Sequence, residues 1–386
     1  MAKKAVEEIE PLTDYFLIRD LLKETDEAAA VVSAVGAPPF GGVRDVKRSV
    51  RYAEKGGVLT MRQLLDIKSS LQAASQVKNF IFNNISAGPL AGRELPVITG
   101  LAQMLSEERR LCDHIERCII SEDEMADGAS PLLRDIRRKI SQQTEAARMR
   151  INAMISSAAN KGLLQDDIVT MRDGRFVIPV KQENRSRFPG IVHDRSSTGA
   201  TLFIEPQAVV DMNNEIRELE MKEQDEIRRI LAELSAEAGK SVRPVINNQK
   251  YLTNLDVIFA KGRLSVRYGG CSARINTDGI LDIRRGRHPL IDPEKVVPVD
   301  ISAGKHYKTL VITGPNTGGK TVTLKTVGLM ILMTQAGLHI PAEEGSEIPV
   351  MQKVFADIGD EQSIEQSLST FSSHMKNIVE IIGEAD

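Results

Sequence analysis

The spacing of apolar residues predicts a mainly helical chain. Across residues 59–81, apolar side chains recur every three or four positions and form one face of an α-helix. The same spacing recurs across 133–158 and 212–234. Each of these two segments can continue for about 28 residues, or roughly 40 Å at 1.5 Å per residue. Long helices therefore account for much of the chain.

A different pattern separates the two longest predicted helices. Residues 168–172 and 175–180 are β-rich runs on either side of Asp173-Gly174, a dipeptide typical of tight hairpin turns. Residues 201–204 form a third such run. The pattern predicts a small β-containing insertion near 165–205, at the end of an arm made by the two helices. An ordinary helix pair in a globular core explains the helical periodicity equally well.

The pattern changes again near residue 262. A strand is predicted at 309–312, followed by a glycine-rich turn, a helix across 321–336 and a second strand at 354–358. Strand, turn, helix and strand in this order are typical of an α/β domain. The sequence thus predicts a mainly α part followed by an α/β part.

Composition and charge narrow the class of protein. The 386 residues include 50 Lys+Arg and 53 Asp+Glu, for a net charge of −3, which excludes a globally basic nucleic-acid-binding protein but allows local basic patches. No apolar run of about 18 residues is present, so no membrane span or membrane partner is predicted. The three cysteines and six histidines show no disulfide or metal-ligand spacing. We expect a cytoplasmic protein.

The glycine-rich turn matches the phosphate-binding loop G-x-x-x-x-G-K-[ST] at every required position. Glycines allow successive backbone N–H groups to face a phosphate, and the following helix adds the positive end of its dipole. Lys320 can reach the β- and γ-phosphates of ATP, and the Thr321 hydroxyl can bind Mg²⁺. The predicted ATP-binding residues are Gly314, Pro315, Asn316, Thr317, Gly318, Gly319, Lys320 and Thr321.

Several motifs in a fixed order resemble the MutS family. They are Gly-Arg-His-Pro at 286–289, Gly-Pro-Asn-Thr-Gly-Gly-Lys-Thr at 314–321 and Ser-Thr-Phe at 369–371. Phe-Val-Ile-Pro-Val-Lys at 176–181 and Gly-Ala-Thr-Leu-Phe-Ile-Glu-Pro at 199–206 are similar to the type-two branch, whose members carry a C-terminal Smr nuclease domain. The similarity extends from about residue 40 to the end of the chain.

The resemblance implies a layout and a set of site residues. It implies an N-terminal helical core at 1–130, lever helices with a clamp-like β insertion at 131–261, and the N-terminal part of an ABC-type ATPase domain at 262–386. ATP lies between two subunits of a homodimer in this family, which gives Ser369 a contact to the partner's γ-phosphate. Val297 and Pro298 align with residues near adenine, and Gln362 with a residue near Mg²⁺. From the residues alone, Ser369 also fits a helix N-cap.

The resemblance also implies functions that the sequence itself does not contain. Residues 322–386 include no run of four apolar residues followed by Asp-Glu, so we expect a chain truncated before Walker B that binds ATP without measurable hydrolysis. The family implies an ATPase and endonuclease that binds branched or mismatched DNA and suppresses homologous recombination. The same branch implies a factor that splits stalled or collided ribosomes by binding rRNA. The alternatives are a structural coiled-coil ATPase of the SMC or RecN kind and a non-catalytic dimerisation fragment.

Basic residues concentrate in two places, one in the first lever helix and one in the insertion. In the helix, six cations at 134–150 accompany two acids, a composition equally typical of a solvated helix face. The cluster in the insertion lies where an arm tip can meet backbone phosphates. Its predicted nucleic-acid contacts are Arg175, Lys181, Arg185, Arg187 and Arg195. The only Phe-x-Glu triplet, the signature of a mismatch-reading wedge, ends at Glu205 within a predicted strand and is interpreted as a chance occurrence.

Overall fold

The computed structural model describes residues 1–86, 88–157, 162–166, 168–314, 319–358 and 367–384. They form two compact units, each assembled from separate parts of the sequence. Unit 1 comprises Met1–Val43, Ala73–Ser106 and Asn247–Asp386, and unit 2 comprises Arg44–Gln72 and Glu107–Ile246. The three consecutive segments expected from the sequence cut across these units, and that division stays a prediction.

The described chain is mainly helical, as the apolar spacing predicts. The helices predicted across 59–81, 133–158, 212–234 and 321–336 are all present, with ends shifted by a few residues. The helices in chain order are α1 (Ala2–Glu7), α2 (Tyr15–Val35), α3 (Lys47–Glu54), α4 (Met61–Ser86), α5 (Pro96–Gln103), α6 (Arg109–Cys118), α7 (Pro131–Ile155), α8 (Val210–Lys240), α9 (Val242–Tyr268), α10 (Lys320–Gln335) and α11 (Ser367–Glu384).

Local sequence chemistry sets the ends of these helices. Asp14 caps α2 because its carboxylate accepts a hydrogen bond from the Leu17 N–H at 2.9 Å. Ser130 caps α7 in the same way, accepting from the Leu133 N–H at 3.0 Å, and a proline occupies the first helical position. At the other end of α2, Gly36 takes a positive φ of 82° and ends the helix.

The predicted β insertion is a four-stranded sheet in unit 2. Its strands are β1 (Thr170–Arg172), β2 (Arg175–Lys181), β3 (Gly190–Arg195) and β4 (Thr201–Pro206), in the antiparallel order β1-β2-β4-β3. Asp173 and Gly174 both have positive φ, which confirms the predicted tight turn. The sequence missed β3, because its polar His193, Asp194 and Arg195 hide the apolar alternation.

A second sheet lies in unit 1. Its strands are β5 (Arg274–Asn276), β6 (Leu281–Gly286), β7 (Val299–Ala303) and β8 (Glu347–Pro349), in the order β5-β8-β6-β7. The strands predicted at 309–312 and 354–358 are wrong: both segments are irregular, with no strand pairing within the described ranges. Val311 is 78% exposed, so its apolar side chain is not buried by a neighbouring strand. An apolar run forms a strand only where another strand accepts its hydrogen bonds.

Apolar cores hold each unit together. In unit 2, Leu234 of α8 is buried among α3, α4 and α6, and Ile204 of β4 is buried between the sheet and α7 and α8. In unit 1, Phe259 of α9 is buried among α2, α4 and α5, and Met330 of α10 is buried against β6 and β7. Burying such side chains stabilises a fold by about 1.5–3 kcal/mol each. Among the described helices, none is long and apolar enough to cross a membrane.

Candidate nucleotide and nucleic-acid sites

The predicted phosphate loop has the backbone geometry that its glycines permit. Gly314 has φ of 145° and Gly319 has φ of 79°, both in the region that side chains with a Cβ rarely occupy. An added Cβ at either residue meets no atom within 4 Å, so the requirement for glycine is conformational. Pro315, Asn316, Thr317 and Gly318 lie outside the described residues. Both described ends of the predicted loop thus adopt backbone conformations that favour glycine.

The N-terminus of α10 offers polar groups to a phosphate. Gly319 is its N-cap residue, and no side chain among the described residues caps the first N–H groups of the helix. Lys320 begins the helix and its ammonium donates to the Gly314 carbonyl, which keeps the charge over the loop. Thr321 is exposed beside it. The arrangement fits a nucleotide phosphate, and the Thr321 hydroxyl fits a ligand to its Mg²⁺.

The opposite end of α10 is held by buried polar contacts. Lys261 of α9 donates to the Ala336 carbonyl at 2.8 Å, and Thr25 of α2 donates to the Gly337 carbonyl. The Gln335 side chain donates to the Leu12 carbonyl at 2.6 Å. Burial lowers the pKa of Lys261, because the charged ammonium loses its hydration. The Lys261 and Thr25 contacts satisfy carbonyls that the helix end leaves open, and all three contacts fix the helix that carries Lys320.

The structure describes three of the four remaining residues predicted for the ATP site. Val297 is 78% exposed and Pro298 directly precedes β7. Gln362 lies outside the described residues. Ser369 lies inside α11, which begins at Ser367, so the alternative that Ser369 is the N-cap is wrong. No group of three or more histidine, cysteine or carboxylate side chains suited to a metal occurs in the part of the chain that the structure describes.

Buried Glu205 determines the surroundings of Arg175. The Glu205 side chain is fully buried, and Arg175 Nη1 donates to its Oε1 at 2.8 Å. His193 Nε2 lies 2.6 Å from Oε2, and the Asn213 amide of α8 donates to Oε1 at 2.7 Å. A buried carboxylate needs such partners to offset lost hydration. The charge of Arg175 is therefore already compensated within the sheet, which makes it a structural residue as well as a predicted contact.

The other four predicted contacts fall into two groups: one residue that is held by hydrogen bonds within the protein, and three whose charges have no salt-bridge partner among the described residues. Arg185 donates to the Phe188 and Gly190 carbonyls, both at 3.0 Å, and so holds the turn before β3. The side-chain cations of Lys181, Arg187 and Arg195 form no salt bridge among the described residues, although the Arg195 backbone N–H donates to Asp194, and Arg187 and Arg195 are exposed. These three cations remain available to phosphates. Whether any of the five contacts nucleic acid stays a prediction.

The sequence did not reveal Glu205, the partner that distinguishes Arg175 from the cations without a salt bridge. Glu205 is 30 residues from Arg175, so neither spacing nor composition connects them. The apolar residues on both sides of Glu205 were the available signal, because an acid within a buried strand needs a basic partner. Phe203 of the same triplet is covered by the Arg172 guanidinium, 4.2 Å from the ring centroid. Both functional positions of a mismatch wedge are thus occupied by contacts within the sheet, which fits a chance triplet.

Comparison with known proteins identifies relatives along the whole chain. Residues 310–386 match the family model of MutS domain V. The chain is 47% identical over 384 residues to Endonuclease MutS2 of Alkaliphilus metalliredigens, covering all of this chain and 48% of that protein. It is 48% identical over 379 residues to Endonuclease MutS2 of Clostridioides difficile, covering 98% and 47% respectively. The chain spans about half the length of the curated relatives that it matches.

Proposed function

Because this chain belongs to the MutS2 branch of the MutS family, we propose that it binds ATP with Mg²⁺ at 314–321 and nucleic acid at the four-stranded sheet of unit 2. In this proposal, the state of the nucleotide controls how tightly the sheet holds the nucleic acid. The relatives are named endonucleases, and we propose the same activity for the whole protein. An SMC-like tether does not account for the Ser-Thr-Phe motif at 369–371 together with the phosphate loop, and the dimerisation-fragment alternative is separated by the effect of ATP on the dimer fraction.

The placement of Lys320 is the observation that carries the proposal. It is the first residue of α10, it follows a glycine with a positive φ, and its ammonium lies over the first glycine of the loop. A cation, a helix N-terminus and glycines in conformations that other residues rarely adopt are features typical of nucleotide-phosphate sites. The buried contacts at the far end of α10 support it, because they keep the helix in a fixed position.

Substitution of Lys320 tests nucleotide binding directly. Lys320→Ala removes the charge that reaches the phosphates and is expected to weaken binding of a fluorescent ATP analogue by at least about tenfold. Lys325→Ala is the matched control, since Lys325 is an exposed lysine on the same helix. Fluorescence anisotropy with Mg²⁺ measures both variants, and circular dichroism checks that both remain folded. Equal affinity of Lys320→Ala and the wild type would overturn the proposed ATP site.

The proposed biological roles differ in the nucleic acid that is held. Branched DNA is the substrate for suppression of homologous recombination, and rRNA is the contact for splitting stalled ribosomes. Both present a phosphate backbone to the same basic sheet. Competition between a four-way DNA junction and purified ribosomes for the protein separates the roles. If the junction removes the protein from ribosomes but not the reverse, the first role is supported. If ribosomes remove the protein from the junction but not the reverse, the second role is supported.

We further propose a homodimer in which Ser369 contacts the γ-phosphate of ATP bound to the partner. The contact requires nucleotide at the interface, so ATP should increase the dimer fraction in sizing chromatography. Ser369→Ala should reduce that increase, while Lys320→Ala should remove it. A dimer fraction that does not depend on ATP would contradict a nucleotide-bridged interface.

A further inference from the structure

The loop that joins β3 to β4 stands between two of the available cations. Residues 196–200, which we term the tip loop, have the sequence Ser-Ser-Thr-Gly-Ala. Lys181 pairs with Thr201 across β2 and β4, and Arg195 pairs with Leu202 across β3 and β4. Both cations thus lie at the end of the sheet from which the tip loop extends. Because β4 separates their strands, their backbones are about 10 Å apart.

Lys181 and Arg195 approach the tip loop from opposite faces of the sheet. Neighbouring residues in a strand point to opposite faces, so the partners Thr201 and Leu202 place Lys181 on one face and Arg195 on the other. Neither side-chain cation forms a salt bridge among the described residues. A phosphate at the tip loop can therefore be reached by positive charge from both sides.

The tip loop itself presents neutral hydrogen-bond donors. Ser197 and Thr198 are exposed, and the N–H groups of Ser197, Thr198 and Ala200 have no hydrogen-bond acceptor in the described part of the chain. Ser196 fixes the loop: its Oγ accepts from the Thr201 N–H at 3.1 Å and lies 3.3 Å from Thr198 Oγ1, where either hydroxyl can donate. Exposed N–H groups on a tight turn form a concave surface that binds anions.

Gly199 keeps these donors in place. Its φ is 73°, a conformation that residues with a Cβ rarely adopt, and the side chain of Gln182 packs beside it. The Gln182 N–H also donates to the Ala200 carbonyl at 3.0 Å, which attaches the tip loop to the end of β2. These contacts hold both ends of the tip loop against the sheet.

The phenylalanines of the four-stranded sheet and its connections are not available to bases. Phe176 and Phe188 are 8% and 2% exposed, and Phe203 lies beneath the Arg172 guanidinium. Proteins that bind unpaired bases stack them on exposed aromatic rings. Among the described residues, the sheet thus offers a backbone phosphate hydrogen-bond donors and cations, and offers an unpaired base no exposed phenylalanine ring.

We propose that the tip loop is a phosphodiester-binding site, in which Ser197, Thr198 and the loop N–H groups bind one backbone phosphate while Lys181 and Arg195 bind its neighbours. This inference rests on the proposed nucleic-acid function and names the residues that perform it. Arg175 and Arg185 position the sheet through their own hydrogen bonds, and the proposed site does not depend on them. The site recognises the phosphodiester, which DNA and RNA share.

Loss of a neutral contact and loss of a charged contact change the salt dependence of binding differently, and this difference tests the site. Ser197→Ala combined with Thr198→Val removes hydroxyl donors without changing charge, so affinity for duplex DNA should fall about tenfold while its dependence on salt stays constant. Lys181→Gln combined with Arg195→Gln should also flatten the slope of log K against log salt, by about 0.9 for each lost phosphate contact. Anisotropy with a labelled DNA duplex and an RNA duplex of the same sequence, between about 50 and 200 mM salt, measures both effects.

Matched controls come from the same unit. Ser186→Ala removes an exposed hydroxyl outside the tip loop, and Arg228→Gln removes a cation of α8 that is 73% exposed. Both should bind as the wild type does. Wild-type affinity of the Ser197→Ala/Thr198→Val variant would overturn the inference and leave the proposed function standing. A wild-type protein that binds neither duplex would overturn the nucleic-acid part of the proposed function itself. If the Ser197→Ala/Thr198→Val variant loses binding to only one of the two duplexes, that duplex, DNA or RNA, is the ligand of the tip loop.

Discussion

Glu226 is a buried carboxylate that joins the start of α7 to α8. Its Oε1 accepts from the Ser130 hydroxyl at 2.6 Å, and Arg229 donates to both of its oxygens at 2.9 Å. Ser130 is also the N-cap of α7. The Arg229 hydrogen bonds, helped by Ser130, hold the pKa of Glu226 below its usual 4.5, although burial acts in the opposite direction. One carboxylate thus connects a helix cap, a second helix and an arginine.

Glu226→Gln should make the protein less stable at neutral pH. The variant keeps an acceptor for Ser130 and loses the charge that attracts Arg229, so the free energy of unfolding should fall by about 1–2 kcal/mol. The unfolded carboxylate takes up its proton near pH 4.5 and the folded one at lower pH, so the contribution is present above pH 4.5 and is lost on acidification. Urea unfolding at neutral and acidic pH measures this difference between wild type and variant.

Glu233→Gln is the control for that experiment. Glu233 also pairs with Arg229, at 3.1 Å, but both side chains are more than half exposed. Water and salt screen such a pair, so its loss should change stability by less than about 1 kcal/mol at any pH. Equal effects of the two substitutions would show that burial of Glu226 adds nothing to the interaction.

Single residues also show how far the sequence predicts a site. Residue types and spacing predicted the Gly314, Gly319 and Lys320 loop ends, because a phosphate loop is local and each position has one chemical requirement. The basic cluster could not be divided from sequence, because Arg175 and Arg195 have the same chemistry. Only the fold brings Glu205 to one of them and leaves the other at the end of a strand.

At the scale of elements, two glycines within helices allow the effect of helix packing on stability to be distinguished from that of helix propensity. Gly262 of α9 lies against α2, where an added Cβ would be 2.8 Å from the backbone carbon of Ala28. Gly328 of α10 is also inside a helix, and an added Cβ there meets no atom within 4 Å. Alanine favours a helix over glycine by about 1 kcal/mol at both positions. Contact with α2 is therefore the main difference between them.

Alanine substitutions at these glycines should have opposite effects. Gly262→Ala forces α2 and α9 apart, and overpacking of this kind costs about 1–3 kcal/mol, so the free energy of unfolding should fall. Gly328→Ala should raise it by about 0.5–1 kcal/mol, because only the propensity changes. Urea titration followed by circular dichroism measures both. An increase in stability for Gly262→Ala would mean that the two helices can separate without cost.

Elements were predictable where their pattern is local. The long helices followed from apolar residues at three- and four-residue steps, and the β1–β2 hairpin from Asp173-Gly174. The segments 309–312 and 354–358 have strand-like composition and no strand conformation, because a strand depends on a partner elsewhere in the chain. In β3 the reverse holds: a polar segment becomes a strand because β4 supplies its hydrogen bonds.

The whole molecule divides the two proposed activities between its units. The phosphate loop belongs to unit 1 and the tip loop to unit 2, so control of nucleic-acid binding by nucleotide requires a free-energy coupling between two distinct sites. The chain segments of α4 and α9 contribute residues to both units, so the units are joined at several points along the sequence. Such a coupling is reciprocal by thermodynamic necessity.

Reciprocity makes the proposed control measurable. If a non-hydrolysable ATP analogue changes the Kd for duplex DNA by about tenfold, saturating duplex must change the Kd for the analogue by the same factor and in the same direction. Lys320→Ala should abolish the effect of the analogue while leaving the duplex affinity without nucleotide unchanged. The Ser197→Ala/Thr198→Val variant should weaken duplex binding and retain the factor, because it changes a contact and not the coupling. Equal duplex affinity with and without the analogue would show that the two sites are independent. Nucleotide would then have to act in this protein by a route other than control of its affinity for nucleic acid.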